Sequence, residues 1–290
     1  MASRSIFDAG ALRGEFESAG ISTHFLPLIW RYVLRNPTCE LEEVPSLPSA
    51  AYPLLRAKFR PMTSSLASAV DSGNGTTTKL LVRLQSGSFV EAVIMRYDTR
   101  LGKYDGKPRP GGPRSTLCVS SQVGCKMGCK FCATGTMGFK TNLSSGEIVE
   151  QLVHALRLSN IRNVVFMGMG EPLNNYSAVV EAVKIIIGSP FQLSPKRVTI
   201  STVGNSLSNN ACCSGFSNNT IDGFIAGLSK DMVNDQEQHA HQLGKLLEKL
   251  QVLVIPLDSI GATLFDGEKH MRWDTLFDSE GELSDEQQKE

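Results

Sequence analysis

The sequence predicts an α/β fold, a partial (β/α) barrel preceded by a small helical accessory domain and a β-hairpin. Three observations carry the prediction. From Ser115 onward strand and helix patterns alternate as βαβαβ, which implies parallel strands wound right-handedly. Residues 5–60 instead repeat their apolar side chains at helical spacing, and residues 79–97 read as two strands facing each other across a turn.

The helical segment comes first. Phe7, Leu12 and Phe16 form one apolar stripe and Phe25, Leu28, Ile29, Tyr32 and Val33 a second, with prolines closing the segments. The hairpin pairs Lys-Leu-Leu-Val-Arg-Leu with Phe-Val-Glu-Ala-Val-Ile-Met and turns at Gln85-Ser-Gly-Ser88, and a Gly/Pro-rich loop runs from Asp98 to Pro113. Ser115 to Ser120 is a strand. Ser144-Ser-Gly-Glu147 is a capping box opening a helix with Ile148, Leu152 and Leu156 on one face. Asn163 to Gly168 reads as a buried strand, Tyr176 to Ile187 as a helix stopped by Gly188, and Arg197 to Thr202 as a strand. Asn205 to Gly223 is Ser/Asn-rich and without period; a capping box at Asn234, a helix carrying Leu243 to Leu250 and a strand at Gln251 to Pro256 follow. These patterns divide the chain into a helical domain (1–66), a hairpin and loop (67–114), a core (115–264) with an irregular insert (205–230), and an acidic tail without structure (265–290).

A length of 290 residues suits one sizeable core and a small accessory domain, and the 41% hydrophobic share is that of a globular protein. The net charge of zero hides an asymmetry. Residues 96–140 carry nine Lys/Arg against two Asp, and residues 265–290 nine Asp/Glu against three Lys/Arg. The basic stretch suits a polyanion or simply a solvated face. No apolar run is long enough to span a bilayer, the N-terminus lacks a signal-peptide core, and its acidic residues disfavour a transit peptide. Seven cysteines without a disulfide-like array suit a reducing compartment, so the cytoplasm is the expected location, an organelle being left open.

Three of those cysteines stand within eight residues, Cys125-Lys-Met-Gly-Cys129-Lys-Phe-Cys132. Spacings of this kind let one loop aim three thiolates at a common centre. A structural zinc needs a fourth ligand, which Cys118 could supply; a cubane iron-sulfur cluster held by three thiolates leaves one iron open to a substrate or cosubstrate. The five histidines show no ligand spacing with the cysteines.

Cys-x3-Cys-x2-Cys with an aromatic before the last cysteine, preceded by Arg114-Ser-Thr-Leu-Cys118-Val-Ser-Ser-Gln-Val-Gly-Cys125, resembles the radical S-adenosylmethionine enzymes, and among them the RlmN/Cfr-type methyltransferases of adenine in ribosomal and transfer RNA. The resemblance runs to about Gly204 and resumes in fragments between Val233 and Gly261. It implies a 4Fe-4S cluster on Cys125, Cys129 and Cys132, with S-adenosylmethionine held by Gly170, Glu171 and Ser201. It also implies a proton acceptor at Glu91, whose apolar neighbours suggest burial and a raised pKa. Cys118 matches a cysteine that helps release the methylated RNA. The implied partners are rRNA and tRNA and an electron donor such as a flavodoxin or ferredoxin, with no membrane and a monomeric state. The chain departs from the pattern after Gly204. Two barrel strands are not recognisable, the Ser-Leu-His segment is absent, and Asp258 replaces a ligand asparagine. No cysteine follows Cys213, so the methyl-carrier cysteine is missing and a truncated, impaired enzyme is expected.

Overall fold

The computed structural model describes residues 3–98, 103–104, 107–108, 112–129, 132–202 and 251–254. The irregular insert, Cys212 and Cys213, the Leu243 to Leu250 helix, Asp258 and the acidic tail lie outside the described residues.

The N-terminal segment contains three helices, α1 (Ala9–Ser18), α2 (Leu26–Arg35) and α3 (Ala51–Lys58). Its ends are tied by two short parallel strands, β1 (Arg4–Ser5) and β2 (Phe59–Arg60). The stripes read from sequence face inward: Leu12, Phe16, Ile29 and Val33 are fully buried. Trp30 joins them and donates its indole N–H to the Ile6 carbonyl at 2.8 Å, as a buried indole requires.

Next come β3 (Ser65–Asp71), β4 (Thr77–Arg83) and β5 (Phe89–Asp98), then the two-residue strands β6 (Lys103–Tyr104) and β7 (Lys107–Pro108) in the loop. Beyond them lie β8 (Pro113–Cys118), β9 (Gln122–Gly124), the short helix α4 (Ala133–Thr136), β10 (Phe139–Asn142), α5 (Ser145–Leu156), β11 (Ile161–Phe166), α6 (Tyr176–Ile187), β12 (Val198–Thr202) and β13 (Gln251–Val254). Seven strands make one mixed sheet in the order β13-β12-β11-β8-β5-β4-β3. The first four are mutually parallel and β5, β4 and β3 continue antiparallel. The hairpin is thus no separate unit: Val93 pairs with Cys118, so the sheet runs across the expected boundary at 114.

The sheet has two unlike faces. Leu80, Val82, Val90, Ala92, Ile94, Leu117, Val164, Phe166, Val198 and Ile200 share one face and are buried in a single apolar cluster with the helices. Glu91, Val93, Thr116, Cys118, Val165, Thr199 and Ser201 occupy the other. Helix α5 opens on the expected capping box, Ser144 Oγ accepting from Glu147 N–H at 3.1 Å while Glu147 accepts from Ser144 N–H at 2.9 Å. It is buried on nearly all sides, with its final residue Leu156 the exception at 38% exposed.

Its buried Glu150, Gln151 and His154 side chains each reach at least one hydrogen-bond partner. Glu150 accepts from Ser5 Oγ (2.6 Å), Thr63 N–H (2.8 Å), Thr63 Oγ1 (3.0 Å), Ser64 N–H (2.7 Å) and Ser64 Oγ. Ser64 Oγ also lies 3.0 Å from His154 Nε2, while His154 Nδ1 is buried with no partner among the described residues. Burial, with Arg157 nearby, pushes the His154 pKa down to about 4. The folded chain keeps this imidazole neutral while the unfolded chain, with its ordinary value near 6.5, takes up a proton first. Its contribution to stability is therefore lost as pH falls from about 6.5 toward about 4. Desolvation shifts Glu150 the other way, so its stabilising contribution fades as pH rises through its raised pKa. Comparison with His154→Gln isolates the histidine: in urea titrations the variant should gain about 2–3 kcal/mol relative to wild type between pH 7 and pH 4.5.

Candidate active site

Two chain segments leave the parallel strands at their C-terminal ends and lock together. After β8, Val119–Gln122 lies against Gly168–Glu171, which follows β11. Gly168 N–H donates to the Val119 carbonyl at 3.0 Å, and Ser121 and Gln122 N–H both donate to the Met169 carbonyl at 2.8 and 3.1 Å. Glu171 N–H donates to Gln122 Oε1 at 2.9 Å and Met169 N–H to Ser120 Oγ at 2.9 Å. Contact this close needs glycine. A Cβ on Gly170, whose φ is +99°, meets Gln122 Cβ at 2.5 Å, and one on Gly168 meets the Val119 carbonyl at 2.7 Å.

The cysteine loop springs from the same place. β9 and β10 pair antiparallel at its base, and Cys125 N–H donates to the Gly138 carbonyl at 3.1 Å. Cys125 is buried and Cys129 and Cys132 are half-buried, while Lys130 and Phe131 lie outside the described residues. Met127 N–H points at Cys125 Sγ at 3.5 Å, the kind of backbone donor that steadies a thiolate. Burial pushes the Cys125 and Cys129 thiols up; repulsion from Cys132 and Glu171 adds to both, and Cys125 adds to Cys129. The three sulfurs and this carboxylate therefore share one electrostatic neighbourhood. Among the described residues no three His, Cys, Asp or Glu side chains stand in a common metal-ligating arrangement. The fit to a cluster rests on the donor chemistry, three soft thiols on one loop closed by its own two-stranded base.

Glu171 is 3% exposed and accepts from Leu173 N–H at 3.1 Å and from the Thr202 hydroxyl at the end of β12. Ser201 precedes Thr202 and is half-buried, on the face that carries Cys118. The structure thus gathers Gly170, Glu171, Ser201 and the three cysteines at one end of the parallel strands, the end where α/β folds place their sites.

Glu91 sits on the same face and its backbone is bound to the same turn. Its N–H donates to Met169 Sδ at 3.4 Å and its carbonyl accepts from Ser120 Oγ at 2.5 Å. Its side chain, however, is 46% exposed and pairs with Lys79 at 3.1 Å, so the burial expected from its apolar neighbours is absent. Those neighbours, Val90 and Ala92, point to the opposite face. Cys118 is buried one step deeper than Glu91 and opposite Val93, and burial pushes its thiol up to about 12 against a partial offset from a Met167 backbone hydrogen bond. It is a neutral thiol at physiological pH.

Sequence reasoning passed over the residues that hold this arrangement. Ser120 is fully buried and exchanges two hydrogen bonds with Gln151 of α5, at 2.8 and 2.9 Å. Asn175 donates to the carbonyls of Ser121 (2.7 Å) and Leu143 (2.8 Å). Ser121 Oγ is buried without a hydrogen-bond partner among the described residues. Polar residues in an apolar context were the available signal.

Residues 119–211 match the Radical SAM superfamily family model. The chain is 42% identical over 191 residues to the "Ribosomal RNA large subunit methyltransferase N" of Nitrosopumilus maritimus, covering 62% of this chain and 50% of that one. It is 40% identical over 211 residues to the "Probable dual-specificity RNA methyltransferase RlmN" of Acidothermus cellulolyticus, covering 65% and 47%. The chain spans about half the length of these curated relatives. Its fold resembles the crystal structure of a radical SAM methyltransferase from Sphaerobacter thermophilus, with a TM-score of 0.56 and 30% identity over 70% of this chain and 57% of that one. The match implies a 4Fe-4S cluster and S-adenosylmethionine as cofactors. Over residues 119–211 the chain is thus similar to the Radical SAM superfamily, and it is similar to RlmN-type RNA methyltransferases over about half of their length.

Proposed function

We propose that this chain holds the cluster and cosubstrate of an RlmN-type enzyme that methylates carbon 2 of adenine in rRNA and tRNA. The observation that carries the reading is the convergence of the cysteine loop and the Gly168–Glu171 turn at one end of the parallel strands. In this reading Cys125, Cys129 and Cys132 hold the cluster, which when bound supplies the electron that fragments S-adenosylmethionine. Gly170 lets backbone approach the cosubstrate, Glu171 accepts from its ammonium, and Ser201 contacts it from the next strand. Glu91 is the proton acceptor, a half-exposed carboxylate held beside Lys79 on the same face. Cys118, held as a thiol, donates rather than attacks until a neighbouring group deprotonates it. A flavodoxin or ferredoxin class donor reduces the cluster of a monomeric enzyme in the cytoplasm. Among the described residues no helix is long and apolar enough to cross a membrane. No cysteine follows Cys213, so the 290-residue chain acting alone fragments the cosubstrate slowly without transferring methyl to RNA.

Anaerobic reconstitution with iron and sulfide tests the reading. A 4Fe-4S absorption that changes on adding S-adenosylmethionine is expected, with formation of 5′-deoxyadenosine and no methylated adenine. Cys125→Ala, Cys129→Ala or Cys132→Ala should abolish the absorption. Stoichiometric zinc with no iron overturns the cluster assignment, and methylated adenine from this chain alone overturns the missing-carrier argument.

A further inference from the structure

The face that carries Glu91 and Cys118 continues outward over β5, β4 and β3. Directly opposed residues in a sheet share a face, and the pairing runs Val70–Lys79–Val93–Cys118 in one row, Ser68–Leu81–Glu91 in the next and Ser65–Arg83–Phe89 in the third. Beside Cys118 this face is buried; toward the hairpin it opens. Phe89 is 44% exposed and Val70 61%, two of the few large apolar side chains exposed among the described residues. Arg83 stands directly across from Phe89 and Lys79 across from Val93, both exposed. Lys79 pairs with Glu91, while Arg83 holds no ion pair among the described residues.

An exposed aromatic ring beside an unpaired guanidinium on a twisted antiparallel sheet offers a stacking plane and a phosphate contact a few ångströms apart. The opposite face of β4 and β5 is committed to the apolar core through Leu80, Val82, Val90, Ala92 and Ile94, so the strands are anchored without the exposed face. The platform lies about 14 Å along β5 from Val93, at 3.4 Å per residue. A base stacked on Phe89 is therefore a near neighbour in sequence of whatever base reaches Glu91 and Cys118.

We propose that Phe89 and Arg83 form a docking platform for single-stranded RNA, Phe89 stacking a flanking base and Arg83 contacting its phosphate, so that the adjoining nucleotide is presented to the Glu91 and Cys118 row. The proposal rests on the RNA-modifying reading above and names how the substrate is held. The Arg83 guanidinium beside an exposed ring and the continuity of this face with the site select RNA as the occupant over a second copy of the chain.

The test uses the reconstituted 290-residue chain and a short adenine-containing single-stranded oligoribonucleotide, with duplex RNA of the same length for comparison, read by fluorescence anisotropy over a salt series. Single-stranded RNA should bind more tightly than duplex. Phe89→Ala should weaken it about tenfold, the loss of one base–aromatic stack, and Phe89→Tyr should restore it. Arg83→Gln should lower the salt slope by about 0.7. Thermal midpoint and the S-adenosylmethionine response of the cluster should be unchanged in all three. Wild-type binding with Phe89→Ala equally tight overturns the platform and leaves the RNA reading standing; binding of neither RNA overturns both. Equal binding of duplex, or self-association that Phe89→Ala abolishes, also overturns the platform.

Discussion

Replacing Glu150 with alanine is expected to destabilise the folded chain by about 3–5 kcal/mol, a large share of the stability of a typical domain. The carboxylate is fully buried and accepts from three residues of the N-terminal segment, Ser5, Thr63 and Ser64. Its loss leaves two backbone N–H groups and the side-chain hydroxyls of those residues without an acceptor, and buried donors cost about 1–3 kcal/mol each when left unpaired. Glu150→Gln, which retains one oxygen but turns an NH2 toward the same donors, should recover part of the loss. Urea denaturation gives the free energies, and limited proteolysis between Phe59 and Ser65 shows whether the N-terminal segment detaches first. A loss under about 1 kcal/mol for the alanine variant would show that these donors find other acceptors.

Gly124→Ala is expected to abolish cluster assembly while most of the fold persists. Gly124 has φ +74°, and an added Cβ would lie 1.8 Å from the Gly138 carbonyl oxygen, an overlap with backbone that no rotamer relieves. The β9–β10 pair must separate, and with it the Cys125 N–H bond to Gly138 that closes the base of the cysteine loop. Only Val123 and Leu143 of the apolar cluster adjoin this pair, so the thermal midpoint should fall only a few degrees while bound iron after reconstitution falls close to zero. Gly73→Ala is the control, with no atom within 4 Å of its added Cβ and no positive φ. Wild-type iron content in the Gly124 variant would show that loop closure is not needed to collect the thiols.

The regular elements were legible because their periodicity reports burial directly. Ser144 and Glu147 announced α5, Gly188 the end of α6, and Val164 to Phe166 a strand buried on both sides. β3 was not legible: as the outer edge strand it is exposed over most of its length, so Ser65–Asp71 shows no alternation to read. Glu91 was misjudged for a related reason. Its neighbours on either side face the core, and the step of one residue that reverses a strand's face is invisible when both faces are read as one apolar run. The cysteine loop stood out by spacing alone, whereas Ser120, Gln122 and Asn175 gain their importance only from the partners that folding brings to them.

Helix α5 has consequences beyond its own packing. Glu150 reaches toward the N-terminal segment and Gln151, the next residue, holds Ser120 against the Gly168–Glu171 turn. Asp8 of the N-terminal segment accepts from Gly146 N–H at 2.7 Å in the first turn of the same helix. The helix is in effect a mounting beam with the N-terminal segment bolted to one flank and the Val119–Gln122 and Gly168–Glu171 turns to the other. Residues 3–64 are then not an attachment that can be trimmed without loss, but part of the frame that holds α5 and, through it, those turns.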